Sequence, residues 1–165
     1  KSSSRFVFFL YILLFYQEFI QLTNNLITMR SLKINYLAVL VGVVISQALP
    51  AVWYSIFADK WMAANNLTME AIQGSDSPIN YLISTITGAI AVVTMAYLYK
   101  RMKVDSAFEG LMWGLLLGFA FIYTDDITVN MFSMRPYVLT LINGGASTLT
   151  TGLVGLVLGA WRKYE

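Results

Sequence analysis

The chain contains neither cysteine nor histidine, and these two absences remove whole chemistries. Without cysteine there is no disulfide, no thiolate metal site and no thiol nucleophile. Without histidine the commonest general base and the commonest metal ligand are gone, and a protein-ligated haem would have to rely on Met or Tyr. Charge is also scarce, at 12% of 165 residues, where soluble domains carry about 25%. Set beside 58% hydrophobic residues, that shortfall marks an integral membrane protein. The formal net charge of +2 is too small to indicate nucleic acid as a partner.

What the chain does contain is long apolar runs. Four of them, at about 36–57, 78–99, 107–124 and 137–161, are near the length of about 20 residues that crosses a bilayer. Pro50 lies inside the first and predicts a kink near 46–50, and Gln47 is expected to point into the bundle rather than at lipid. Ser77 as N-cap with Pro78 at the first helical position opens the second run. Ser106-x-x-Glu109 is a capping box in front of the third, and Arg135-Pro136 precedes the fourth. The polar segments between them are 58–77, with a short helix capped by Thr68, and 124–135. The fold class is therefore all-α. We expect an integral membrane four-helix bundle over residues 29–165, with an additional N-terminal hydrophobic helix, spanning or interfacial, in an extension of residues 1–28. Residues 6–16 are unbroken apolar sequence, while Gln17, Glu18 and Gln21 give the continuation an amphipathic character.

Arg30, Lys33, Lys100, Arg101, Lys103, Arg162 and Lys163 put seven cations on one side of the four runs, against Lys60 and Arg135 on the other. By the positive-inside rule, residues 30–33, 100–105 and the C-terminus are cytoplasmic, and loops 58–77 and 124–135 lie on the opposite face. Asn66-Leu67-Thr68 is a glycosylation sequon, relevant only where that face is a secretory lumen.

Trp53, Tyr54, Trp61 and Tyr123 fall at this non-cytoplasmic boundary. They read as an aromatic belt at headgroup depth or as the wall of a pocket closed by Asp59, Asp125 and Arg135. A candidate binding surface there comprises Trp53, Tyr54, Asp59, Trp61, Asp125, Asn130 and Arg135. The acidic pair Asp125-Asp126 suits solvated or ion-paired charge, with a cation held by carboxylates and carbonyls as the alternative. Gly110, Gly114 and Gly118 on the third run, and Gly152, Gly155 and Gly159 on the fourth, form stripes that let helix backbones approach closely in lipid. They serve packing inside one bundle or an oligomer contact. Asn143, Ser147, Thr148, Thr150 and Thr151 make the fourth run polar enough for interhelical hydrogen bonds or a polar path. No ionisable residue lies mid-membrane, as proton and ion relays usually require. Hence no catalytic, cofactor-binding or metal-ligating residue is expected, and the chain does not read as an enzyme.

Several of these features together resemble a family known as domain of unknown function 1761, small four-helix membrane proteins mostly from bacteria. The features are Ile34-Asn35-Tyr36, Trp53-Tyr54-Ser55 followed by Phe57 and Trp61, Asn130-x-Phe132 with Arg135-Pro136, Asn143, and Gly159-x-Trp161. The resemblance covers about residues 33–163 and implies the fold but no activity. Ala58 departs from it, standing where the family prefers glycine, which bears on any tight turn there. The expected function is a structural or accessory subunit, with membrane lipids and other membrane subunits or a second copy as partners. The alternative is a small-molecule or ion-binding membrane protein using the outer-face surface.

Overall fold

Each apolar run becomes a long helix, since in hydrocarbon a backbone can satisfy its own N–H and C=O groups only within a helix or a closed barrel. The structure, a computed structural model, describes residues 16–18 and 32–164. It comprises a helical unit, Leu32–Lys163, and a second unit, Lys1–Ser31 with Tyr164–Glu165, of which residues 16–18 are helical. The expectations of an extension over 1–28 and a helix over 6–22 fall largely outside the described residues. The helical unit runs through α1 (Tyr36–Ile56), α2 (Ala58–Asn65), α3 (Met69–Ser75), α4 (Pro78–Met102), α5 (Ala107–Leu117), a π-helical segment (Gly118–Tyr123), α6 (Thr124–Phe132) and α7 (Tyr137–Ala160). A two-residue strand β1 (Leu32–Lys33) pairs with β2 (Lys163–Tyr164). Four helices are long and apolar enough to cross a membrane, with α5, the π segment and α6 acting as one of 26 residues. The chain is an all-α membrane bundle.

Capping follows the sequence in two of three places. Thr68 accepts from the Ala71 N–H at 3.3 Å, and Ser106 accepts from the Glu109 N–H at 3.1 Å. The Glu109 carboxylate returns to the Asp105 N–H at 2.6 Å, one residue before the N-cap. Ser77 makes no side-chain cap; its carbonyl already accepts from the Asn80 N–H at 3.0 Å. The segments expected as polar loops are mostly helical. From Thr124 to Phe132 the chain holds neither glycine nor proline to stop the helix. Thr124 and Thr128 fold their hydroxyls back onto the Ala120 and Thr124 carbonyls. The turn comes at Met134, in the left-handed region at φ 55°, and is closed by the Arg135 N–H donating to Asn130 O at 2.9 Å. Segment 58–77 likewise forms α2 and α3, joined at Asn66 with φ 54°. Ala58 is helical and needs no positive φ.

The core is built around α7, which buries ten residues between Leu139 and Gly159 and leaves Leu141, Leu149 and Leu153 exposed. Its closest neighbour is α5. A Cβ added at Gly110 would strike the Gly155 carbonyl, one at Gly114 would strike the Thr151 carbonyl, and one at Gly118 would strike the Thr151 hydroxyl. The two glycine stripes therefore meet each other within the chain. α4 is fastened mainly at one end, where Val92, Met95, Ala96 and Tyr99 are buried with Val39, Val104 and Val154. There the Tyr99 hydroxyl donates to Gly110 O at 2.5 Å. Gln47 reaches α4 as expected: it accepts from Ser84 Oγ at 3.1 Å and donates to Ser84 O at 3.4 Å, across Gly88, where a Cβ would sit 2.8 Å from its amide nitrogen.

The π segment sets which residues beyond it face α7. The residues turned inward are Gly110, Gly114, Gly118, Tyr123 and Asn130, and residues 119–122 between them are all exposed. The step from 118 to 123 is five residues, which a π turn with i→i+5 bonding absorbs and an α-helix of 3.6 residues per turn does not. One residue too many has been taken into the helix, and both faces are kept.

Two outcomes follow from this packing. Gly114→Ala should destabilise the bundle by about 1–3 kcal/mol through overpacking, whereas Gly74→Ala, which meets nothing within 4 Å, should gain up to about 1 kcal/mol from helix propensity; thermal unfolding in detergent compares them. Deleting Phe121, 72% exposed, should convert the π segment to α-helix and preserve the fold. Deleting Leu116, also exposed, should rotate Tyr123 and Asn130 by about 100° off α7 and abolish cooperative unfolding.

Candidate functional site

Where α1 ends, its aromatics turn inward onto α7. Trp53 donates its indole N–H to the Ile142 carbonyl at 2.9 Å, and its ring lies against Gly145, where a Cβ would come within 3.3 Å of it. One residue on, the Tyr54 hydroxyl donates to Asn143 Oδ1 at 3.0 Å. Trp61, one turn into α2, donates its indole N–H to the same oxygen at 3.2 Å. Because an indole nitrogen only donates, the Asn143 oxygen must be the atom facing Trp61, which settles the orientation of the amide. The rings reinforce the bonds: Tyr54 and Trp61 meet edge to face at 5.8 Å, and Trp53 lies 4.9 Å from Phe57. Tyr123, at the end of the π segment, covers Gly144, whose added Cβ would enter the ring.

A second polar joint ties α6 to α7. Asn130, 2% exposed, donates through Nδ2 to Asp126 Oδ2 at 2.8 Å and to Thr140 Oγ1 at 2.9 Å. Thr140, 3% exposed, lies within 3.5 Å of the Asp126 carbonyl. Three members of the expected surface, Trp53, Tyr54 and Trp61, thus converge on one turn of α7, and Asn130 sits in this neighbouring joint. Asp59, Asp125 and Arg135 are exposed. Of the acidic pair, Asp126 is the partly buried member.

Sequence reasoning missed Thr140, Gly144, Gly145 and the Ile142 carbonyl. The available signal was an Asn followed directly by two glycines in an apolar helix, a polar acceptor beside two places for flat rings. Elsewhere on α7 the hydroxyls stay within the helix: Thr150 donates to Ala146 O at 2.7 Å, and Thr151 to Ser147 O at 2.9 Å. Thr148 Oγ1 is buried without a hydrogen-bond partner, beside Gly118. Among the described residues no group of three or more Asp or Glu is placed to hold a metal ion. Chemically, the junction is a hydrogen-bonded clamp between α1, α2 and α7.

Asn143→Ala would leave the Trp61 indole and the Tyr54 hydroxyl without their acceptor. A loss of about 1–3 kcal/mol is expected for such orphaned donors, with a smaller loss, about 1 kcal/mol, for Tyr54→Phe. Thermal unfolding followed by tryptophan fluorescence reads both.

Comparison with curated proteins and with solved structures returned no match. The model of a family described as "Protein of unknown function (DUF1761)" matches residues 37–159, from the second residue of α1 to the penultimate residue of α7. The aromatic clamp, the Asn130 joint and the glycine seam all lie inside that match, and the chain belongs to the DUF1761 family.

Proposed function

We propose that the protein is a non-catalytic membrane subunit that packs through α4 and the adjoining face of α1 against transmembrane helices of a larger complex or of a second copy. The observation that carries this reading is a polar cluster on an uncovered face. Ser46, Gln47 and Ser84 bond one another midway along α1, yet Ser84 and every residue from 78 to 87 are exposed. Among these are Ile79, Tyr81, Leu82, Ile83 and Ile86, each more than half exposed. Lipid tolerates the apolar side chains, but amide and hydroxyl groups at that depth are better placed against another helix. The outer-face ligand reading has less support, because Trp53, Tyr54 and Trp61 are engaged with α7 and Asp59, Asp125 and Arg135 are exposed.

The proposed orientation puts residues 30–33, 100–105 and the C-terminus in the cytoplasm. Supporting it, Asn35 at the start of α1 donates to the Trp161 carbonyl at the end of α7 at 3.1 Å, so both belong to one end of the bundle. Lys33, Lys100, Arg101, Lys103, Arg162 and Lys163 gather at that end, and Lys60 and Arg135 at the other. That asymmetry over short loops orients membrane proteins.

A cysteine-free chain accepts single-cysteine reporters without background. Ile86→Cys should form a disulfide or a short maleimide cross-link to a second polypeptide in native membranes, and Phe108→Cys should not. Lys103→Cys should react with an impermeant maleimide only after permeabilisation, and Thr68→Cys before it. A chain that yields no Ile86 cross-link and migrates solely as its own monomer in native electrophoresis would sink the subunit reading. Reversed maleimide labelling would sink the orientation.

A further inference from the structure

The uncovered side of α4 carries an arginine that does not turn toward water. Arg101 stands exposed in the last turn of α4, at the end of the bundle where the cations gather. Long basic side chains at such a place ordinarily carry their charge outward to the aqueous phase. Arg101 instead folds back one turn along the helix onto Tyr97. Its Nε and Nη2 donate to the Tyr97 hydroxyl at 3.1 and 2.9 Å, and its guanidinium carbon lies 5.3 Å from the centre of the ring. Both bonds use one edge of the guanidinium. The Nη1–Nη2 edge keeps donors to spare from the five that arginine carries, and among the described residues no carboxylate forms an ion pair with it. The phenol oxygen has accepted twice, so its own O–H also remains to donate. A charged fork and a hydroxyl, each held by the other, are thus presented together at the surface of one helix.

We propose that Arg101 and Tyr97 hold the phosphate of an anionic lipid headgroup against α4. A phosphate accepts on several oxygens, and the planar fork of an arginine meets two of them at once. The depth suits a lipid. Tyr81 and Tyr97, 65% and 48% exposed, stand sixteen residues apart, which is about 24 Å along a helix. That is near the roughly 30 Å of hydrocarbon a span crosses, so each phenol falls close to one headgroup layer. Toward the bilayer centre, Thr94 and Ile90 continue the stripe of Arg101 and Tyr97, and both are exposed. The Thr94 hydroxyl donates to the Ile90 carbonyl at 2.8 Å, so this stretch offers hydrocarbon to its surroundings and no unsatisfied donor. An acyl chain running inward from the phosphate meets an apolar lane there, which a free phosphate ion would leave unused. The site is on the opposite half of α4 from Ser84 and does not rest on the subunit reading.

The test uses the purified full chain in detergent, with phosphatidylglycerol, phosphatidylcholine and inorganic phosphate as probes, read by native mass spectrometry and thermal unfolding. Phosphatidylglycerol should stay bound and raise the unfolding midpoint, and phosphatidylcholine should do neither. Arg101→Gln should weaken phosphatidylglycerol binding roughly fivefold, the effect of one surface cation near an anionic lipid. Tyr97→Phe leaves every charge in place and should still weaken it about threefold through the lost hydroxyl, a change to which a general attraction between cations and anionic lipid would not respond. Arg101→Lys keeps the charge without the fork and should not restore full affinity. Equal binding of the two lipids by the unsubstituted chain, which needs no variant to fold, would overturn the proposal. So would phosphatidylglycerol affinity that is unchanged in both Tyr97→Phe and Arg101→Lys. Stabilisation by inorganic phosphate that disappears in Arg101→Gln would overturn the lipid assignment in favour of a free anion.

Discussion

The backbone of α5 lies directly against the backbone of α7 because Gly110, Gly114 and Gly118 present no side chain where Gly155, Thr151 and Thr148 pass. Other contacts inherit their geometry from that approach. In lipid there is no hydrophobic gain in bringing two helices together, so close packing and a few polar bonds must supply the association energy. The seam does both. Near the place where Gly110 meets Gly155, the Gly110 carbonyl is open to the Tyr99 hydroxyl, so α4 is locked to the same joint. A methyl group at either glycine would part three helices, since a Cβ at Gly155 would also strike the Tyr99 oxygen.

The two ends of the bundle are fastened by different means. At the Trp53 end, donors that lipid would leave unsatisfied are handed to α7: two indole N–H groups and one phenol hydroxyl reach the Ile142 carbonyl and the Asn143 oxygen. At the cationic end the fastening is mainly apolar, through Val92, Ala96, Tyr99 and Val154, with the Tyr99–Gly110 and Asn35–Trp161 hydrogen bonds beside it and charge arranged around it. A residue in the first region answers to a hydrogen-bond partner, and one in the second answers to volume and to the membrane surface.

Much of the architecture was legible in the sequence, because a span announces itself by length and by lack of charge, and the four runs did both. That Gln47 turns into the bundle was legible because an amide is costly against lipid, though which helix it meets was not, and the pairing of the glycine stripes was legible as one of two options. The helix from Thr124 to Phe132 was not, because clustered Thr, Asp and Asn read as a loop when neither Gly nor Pro marks where it stops. The π segment was hidden too: Phe119-Ala120-Phe121-Ile122 is apolar throughout, so a one-residue excess leaves no trace in the hydropathy. For the candidate site, sequence identified Trp53, Tyr54 and Trp61 but read them as facing headgroups or a pocket. The direction of an indole N–H depends on an acceptor 82 or 89 residues away, which no local pattern encodes.

The central position of α7 has a consequence for biogenesis. Of the four spanning helices it is the last to leave the ribosome, yet α5, the π segment, α6 and the α1–α2 corner all dock on it. Until it enters the bilayer, the glycine face of α5 and the indoles of Trp53 and Trp61 lack the surface they pack on, and the Asn130 amide has Asp126 but not Thr140. The first three spans therefore enter the membrane ahead of the helix on which most of them dock, and among the contacts open to them before it arrives are the Gln47–Ser84 bonds between α1 and α4.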